Sequence, residues 1–291
     1  MKKSINVSAK IPYFCITKIY VYNQQKMRPF FPLIVILLLG CVTQNKPNPL
    51  KSEYGQIHKV NDKIVFNLGE DSCFLSKTGE DSLNFRFFSI HDDENTSTNV
   101  FHSIKKSLNG AILMELQQSG DRLLSYKSKG KKYQVDPNRI FSIVGLNASL
   151  NVYNSSYPSI VKDSLISFSK KLLKAVLPSK PDQYMVAIHN NSDGNFSVNT
   201  YKGSRDAAQC YINTVSDADN FIIVTKEEDY QYFKNKQINV VLQSPDAKDD
   251  GSLSIYSQKN NIPYINIEVQ DGQNEIQRSY ILMVYEYLKN K

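Results

Sequence analysis

Cysteine is scarce in this sequence, with four in 291 residues. Setting aside Cys15 and Cys41, which lie in an N-terminal leader, leaves Cys73 and Cys210, and two distant cysteines make no disulfide framework. They are either one bridge or two buried thiols. No apolar run is long enough to cross a bilayer. The longest, within MRPFFPLIVILLLGC at 27–41, holds about ten apolar residues against the roughly 20 that a span needs. Acidic residues are missing from 1–41, where Lys2, Lys3, Lys10, Lys18, Lys26 and Arg28 supply +6 of the formal charge of +7. The remainder carries 29 basic and 28 acidic residues, and no basic stripe interleaved with aromatics, so nucleic-acid binding has no basis. Repeats, low-complexity blocks and Gly/Pro-rich linkers are absent from 57–291, which reads as one domain. What is present, 41% hydrophobic and 22% charged residues, is the composition of a globular chain with a sizeable core.

The basic leader has a specific reading. A short cationic region precedes the apolar run, which has the length of a signal-peptide core. Its end, Leu38-Leu39-Gly40-Cys41, resembles a bacterial lipobox, in which Cys41 would carry lipid and become the mature N-terminus. A plain N-terminal membrane anchor is the alternative. Residues 1–26 fit no signal, so Met27 reads as the start and the upstream segment as an over-extended beginning. Residues 42–56 are polar and contain proline, the composition of a tether. This predicts a lipid-anchored protein of the bacterial cell envelope, on its periplasmic or extracellular face.

Short runs rich in β-branched and aromatic residues predict strands at 63–68, 84–90, 111–116, 184–189, 221–225, 238–243, 253–256 and 264–269. Several are apolar on both faces, as in the centre of a covered sheet. Helical stripes fall between them: Val100, Phe101, Ile104 and Leu108, with Asn95 or Thr96 as N-cap; Ile160 to Val176, stopped at Pro178; and Ile276 to Leu288. The alternation predicts a three-layer α/β/α sandwich with a mixed, mostly parallel central sheet. Ligands in such sheets gather at the carboxyl ends of the strands.

The polar residues at those ends are few. His91 and Glu94 follow one strand, His189 closes another, and Glu268 lies near the end of a third. VDPNRIF, at 135–141, sets Asn138 and Arg139 at a proline turn. Singly, each is accounted for as a turn, a polar strand cap or an edge residue. Together, two imidazoles and a carboxylate make the His₂Glu set that holds catalytic zinc with one position left open. A further carboxylate can act as general base, and an arginine beside an amide can clamp a substrate carboxylate.

The order His-x-x-Glu, Asn-Arg, strand-end His and late-strand Glu resembles the zinc carboxypeptidase superfamily, nearest its succinylglutamate desuccinylase and aspartoacylase branch. VDPNRIF is similar to that branch's Asp-x-Asn-Arg-x-Phe signature, and AIHNN at 187–191 to its strand-end histidine segment. The resemblance spans 84–270. It implies a carboxypeptidase-like fold, one zinc per chain held by His91, Glu94 and His189, a substrate carboxylate held by Asn138 and Arg139, and Glu268 as base. It also implies an arginine that polarises the scissile carbonyl, for which Arg122 in SGDRLLSY is suitably placed, and a tyrosine, for which Tyr256 and Tyr264 are both candidates. Two departures stand out. The first motif reads His-Asp-Asp-Glu where the branch has Gly-Asn between the ligands, and Pro137 replaces the usual residue of its signature.

The expectation is an exported zinc hydrolase that cleaves an amide near a free carboxylate, with cell-wall peptides as the substrate suggested by location. Two rivals stay open: a deacylase of N-acyl amino acids, and a non-catalytic envelope lipoprotein that binds peptides or glycans.

Overall fold

The computed structural model describes residues 58–60 and 63–291. The leader, Cys41 and the tether lie outside the described residues. In chain order the elements are β1 (His58–Val60), β2 (Lys63–Leu68), β3 (Asp71–Gly79), β4 (Phe85–Ser89), α1 (Asn95–Ile104), β5 (Ile112–Gln117), β6 (Leu124–Ser128) and β7 (Lys131–Val135). They continue with α2 (Ile143–Tyr153), α3 (Ser159–Val176), β8 (Tyr184–Asn191), β9 (Ala207–Tyr211) and β10 (Phe221–Val224). The last are α4 (Glu227–Asn235), β11 (Val240–Gln243), α5 (Leu253–Lys259), β12 (Tyr264–Gln270) and α6 (Asn274–Lys289).

Ten strands form one sheet in the order β1-β2-β3-β5-β4-β8-β12-β10-β11-β9, and β6 and β7 pair as a separate hairpin. Within the six inner strands, from β5 to β11, only β12 and β10 run antiparallel; antiparallel strands extend both edges. The sheet is therefore mixed with a mostly parallel interior. Every residue of β8, β10 and β11 is buried, which explains their unbroken apolar runs.

Side-chain alternation divides the core in two. Tyr184, Val186 and Ile188 of β8 join Phe101 of α1, Phe233 of α4 and Ile281 of α6 on one face. Met185 and Ala187 join Leu146 of α2, Leu165 and Phe168 of α3 and Leu253 of α5 on the other. Helices thus cover both faces, giving the three layers. The α3 stripe is buried from Val161 to Val176 as predicted, but Ile160 at its start is exposed. The Phe168 ring meets Phe66 of β2 edge-on, centroids 5.3 Å apart. Burial of each such side chain contributes about 1.5–3 kcal/mol.

Two expectations on elements change. LSIY at 253–256 is helix, the first turn of α5. Both neighbouring strands, β11 and β12, already have partners on each side, so neither can pair with it. The N-cap position of α1 is Glu94, not Asn95 or Thr96. Unpredicted α2 has an exposed side of Ile143, Val144 and Val152, which blurs the amphipathic stripe by which a surface helix is read. Among the described residues no helix is long and apolar enough to cross a membrane.

Candidate metal centre and its cavity

The parallel strands β4, β8 and β12 end on the same edge, and their polar residues meet there. The core side chain Ile90 follows β4, and the turn after it presents His91 and Glu94 at the start of α1. Asn190 Oδ1, next to His189 on β8, accepts the backbone N–H of Ser97, which ties the first turn of α1 to the strand end. This fixes the two loops relative to each other.

Glu94 lies between two imidazoles. Its Oε1 is 2.7 Å from His91 Nδ1 and its Oε2 is 2.7 Å from His189 Nδ1. All three residues are buried, and each offers a donor atom within 4.8 Å of the others, a set that can hold a metal ion. The remaining His91 nitrogen, Nε2, lies 2.9 Å from Asp136 Oδ1, the carboxylate–histidine arrangement that orients a metal-binding imidazole. Two imidazoles and one carboxylate, with an outer carboxylate aligning one ring, fit an ion of the zinc type.

The electrostatics agree with that donor set. Burial alone would depress the pKa of His91, but Glu94 and Asp136 outweigh it and raise the value to about 9. Burial likewise opposes ionisation of Glu94, yet His189 and His91 hold it well below the usual carboxylate range. Asp136 is lowered to about 2 against its burial, chiefly by His91. A protonated His91 ring supplies positive charge of the kind that the buried carboxylates beside it require.

A cavity of about 560 Å³ opens over the centre, and its wall contains each of the seven residues singled out for it: His91, Glu94, Arg122, Asn138, Arg139, His189 and Glu268. Glu268 on β12 is the register partner of His189 on β8 and is buried. Its Oε1 accepts a hydrogen bond from Asn266 Nδ2 at 2.9 Å. Burial raises its pKa; His189 opposes the shift and Glu94 adds to it. Arg122, in the loop between β5 and β6, places Nη1 3.0 Å from Glu94 Oε1. Asn138 and Arg139 follow β7 in a short turn set by Pro137, where the Asp136 side chain accepts the N–H of Asn138. Asn138 Oδ1 accepts the N–H of Leu253, which fixes the amide and leaves its nitrogen as a donor for a ligand. Arg139 Nη1 donates to Asn138 O at 2.9 Å and lies 3.5 Å from Asp250 Oδ2.

Neither predicted tyrosine reaches the cavity. Tyr264 is buried in the core, and Tyr256 packs against Phe141. Tyr201 lines the wall instead, its hydroxyl pushed up by burial and further by Glu268 and Asp250. It lies in a segment without a motif. Asp136 falls within VDPNRIF, but its bond to His91 spans 45 positions and has no local sequence signal. Buried polar atoms of the wall, Asn190 Nδ2, Asn191 Oδ1 and Asn266 Oδ1, have no hydrogen-bond partner, which leaves donors and acceptors for a ligand.

No family model matches the chain, and no curated protein matches it. Solved structures do. Succinylglutamate desuccinylase from Vibrio parahaemolyticus is similar at 12% identity and a TM-score of 0.43, over 81% of this chain and 66% of that one. Murein-tripeptide amidase MpaA from Escherichia coli O157 is similar at 12% identity and a TM-score of 0.39, over 82% and 95%. The tripeptide-bound cell shape determinant Csd4 from Helicobacter pylori is similar at 11% identity and a TM-score of 0.41, over 74% and 54%. These three scores lie below 0.5, and the functional reading rests on the geometry of the site.

Proposed function

We propose that the protein is a zinc-dependent hydrolase that cleaves an amide bond near a free carboxylate. One observation carries the reading: the buried His91–Glu94–His189 set and the buried carboxylate of Glu268 share one cavity wall, with Glu268 in register with a ligand. Zinc bound there would supply a Lewis acid and make water a stronger acid near neutral pH. Glu268 accepts the proton of the attacking water and delivers it to the leaving amine; its raised pKa suits both transfers. Asn266 holds one Glu268 oxygen in place, leaving the other for the water. Arg122 donates to the oxygen that gains charge as the carbonyl is attacked, and Arg139 with the Asn138 amide binds the substrate carboxylate.

Location completes the proposal. The lipobox-like ending at Cys41 supports a lipid-anchored protein of the bacterial envelope, where cell-wall peptides are the amides within reach. The test is zinc content of the purified protein together with hydrolysis of two panels, C-terminal peptides and N-acyl amino acids. About one zinc per chain and turnover in at least one panel are expected. Turnover of the second alone would replace the peptidase by a deacylase, and zinc without any turnover would leave a binding protein.

A further inference from the structure

Arg139, the carboxylate-binding side chain of this reading, is not alone in its part of the cavity. Asp250 Oδ2 lies 3.5 Å from its Nη1, and both side chains are partly open to solvent on the same wall. The adjoining Asp249 is engaged elsewhere, by Lys259 at 3.1 Å. The loop holding Asp250 cannot drift from Arg139. Gly251 adopts φ +77°, and a Cβ there would come within 2.3 Å of Arg139 O, so only glycine lets the two backbones approach this closely. Gly251 O accepts the N–H of Phe141, and Asn138 holds the N–H of Leu253. Asp250 Oδ1 accepts the N–H of Ser252, while Oδ2 faces the guanidinium. Tyr201, Glu268, Asp250 and Arg139 line one cavity, so this pair shares a chamber with the base.

A fixed Arg–Asp pair suits a particular ligand. A simple carboxylate reaching Arg139 meets the like charge of Asp250. A group bearing carboxylate and ammonium on one carbon satisfies both partners, and the short separation of the pair matches charges that close together. We propose that Arg139 and Asp250 form a subsite for a zwitterionic α-amino-acid head, and that the scissile amide is made by the side-chain amine of a diamino acid. The second half follows because an α-amine already bound in an amide carries no charge for Asp250. In the reaction water oxygen bonds to the acyl carbon, the C–N bond breaks, and the released side-chain amine takes the proton. The products are a carboxylic acid and a free diamino acid.

This rests on the hydrolase reading, so binding and turnover are measured separately on the full chain loaded with zinc. Calorimetry compares lysine, in both enantiomers, with 6-aminohexanoate, which lacks only the α-ammonium. At least one lysine enantiomer should bind about tenfold or more tightly. Asp250→Asn, which keeps an oxygen for Ser252, should erase the preference by weakening lysine and strengthening 6-aminohexanoate. Asp249→Asn should leave the preference intact. Equal affinities in the unaltered protein, or an equal loss for both compounds in Asp250→Asn, would overturn the subsite. Turnover is followed on Nε-acetyl, Nε-succinyl and Nε-γ-glutamyl lysine and their 6-aminohexanoate counterparts. A binding preference without turnover of these compounds overturns the side-chain amide and leaves the subsite. The hydrolase reading falls only if the C-terminal peptides and N-acyl amino acids are not cleaved either. Turnover without a preference removes the subsite and leaves the hydrolase.

Discussion

Replacing Glu268 by Gln removes a proton acceptor and changes little else in the cavity. Gln retains a side-chain oxygen for the 2.9 Å bond from Asn266, and Glu268 is not one of the three residues whose donors converge on the metal position. Zinc content should therefore stay at the level of the unaltered protein. Turnover should fall about 10²–10⁴-fold, the contribution of a positioned general base, or roughly 3–5 kcal/mol in the barrier. The fold should not suffer. Burial lifts the folded-state pKa of Glu268, so above its unfolded value the folded protein must hold a carboxylate that is costly to ionise. A neutral amide relieves that cost, and the midpoint of thermal unfolding at pH 7 should be unchanged or higher. The same shift sets the pH dependence of catalysis. The active form is the carboxylate, so kcat/KM should be lost as pH falls through a pKa above the ordinary glutamate value of 4.5. Metal analysis, a pH–rate profile and calorimetric melting test these outcomes together. A Gln variant as active as the parent removes Glu268 from the mechanism, and one that loses its zinc makes Glu268 a ligand.

His91→Ala, Glu94→Ala and His189→Ala should each abolish stoichiometric zinc by metal analysis, since three protein donors leave no redundancy. Asp136→Asn should keep the metal but weaken its affinity about 10–100-fold in chelator competition, because His91 Nε2 loses a carboxylate partner. Arg139→Ala should weaken capture of carboxylate-bearing substrates by about 2–4 kcal/mol, and Arg139→Lys should recover little of it, because an ammonium cannot form the planar fork; normal kinetics would make Arg139 a structural turn residue. Cys41→Ser should abolish fatty-acid labelling and leave the leader uncleaved, and labelling that persists would end the lipobox reading.

Patterns confined to a few residues were readable without coordinates. The stripe of α3, the two-faced apolar run of β8 and the alternation of strands with helices report local periodicity and burial, and together they imply a covered sheet. His91 and Glu94 are three residues apart, and Asn138 and Arg139 adjoin Pro137, so short motifs were enough to single them out. Tertiary structure decided what these motifs do to one another. Glu94 meets His189 across 95 positions, Arg122 reaches Glu94 from a loop without a motif, and Asp250 faces Arg139 from the segment leading into α5. Which loops meet at an edge follows from strand order, and the sequence orders β4, β5, β8 differently from the sheet, where β4 lies between β5 and β8. LSIY became helix for the same reason: its four residues suit either state, and its chain neighbours β11 and β12 are each already paired on both sides. Local side-chain pattern chooses elements and marks candidate ligands, but long-range pairing determines which of those ligands can share a cation.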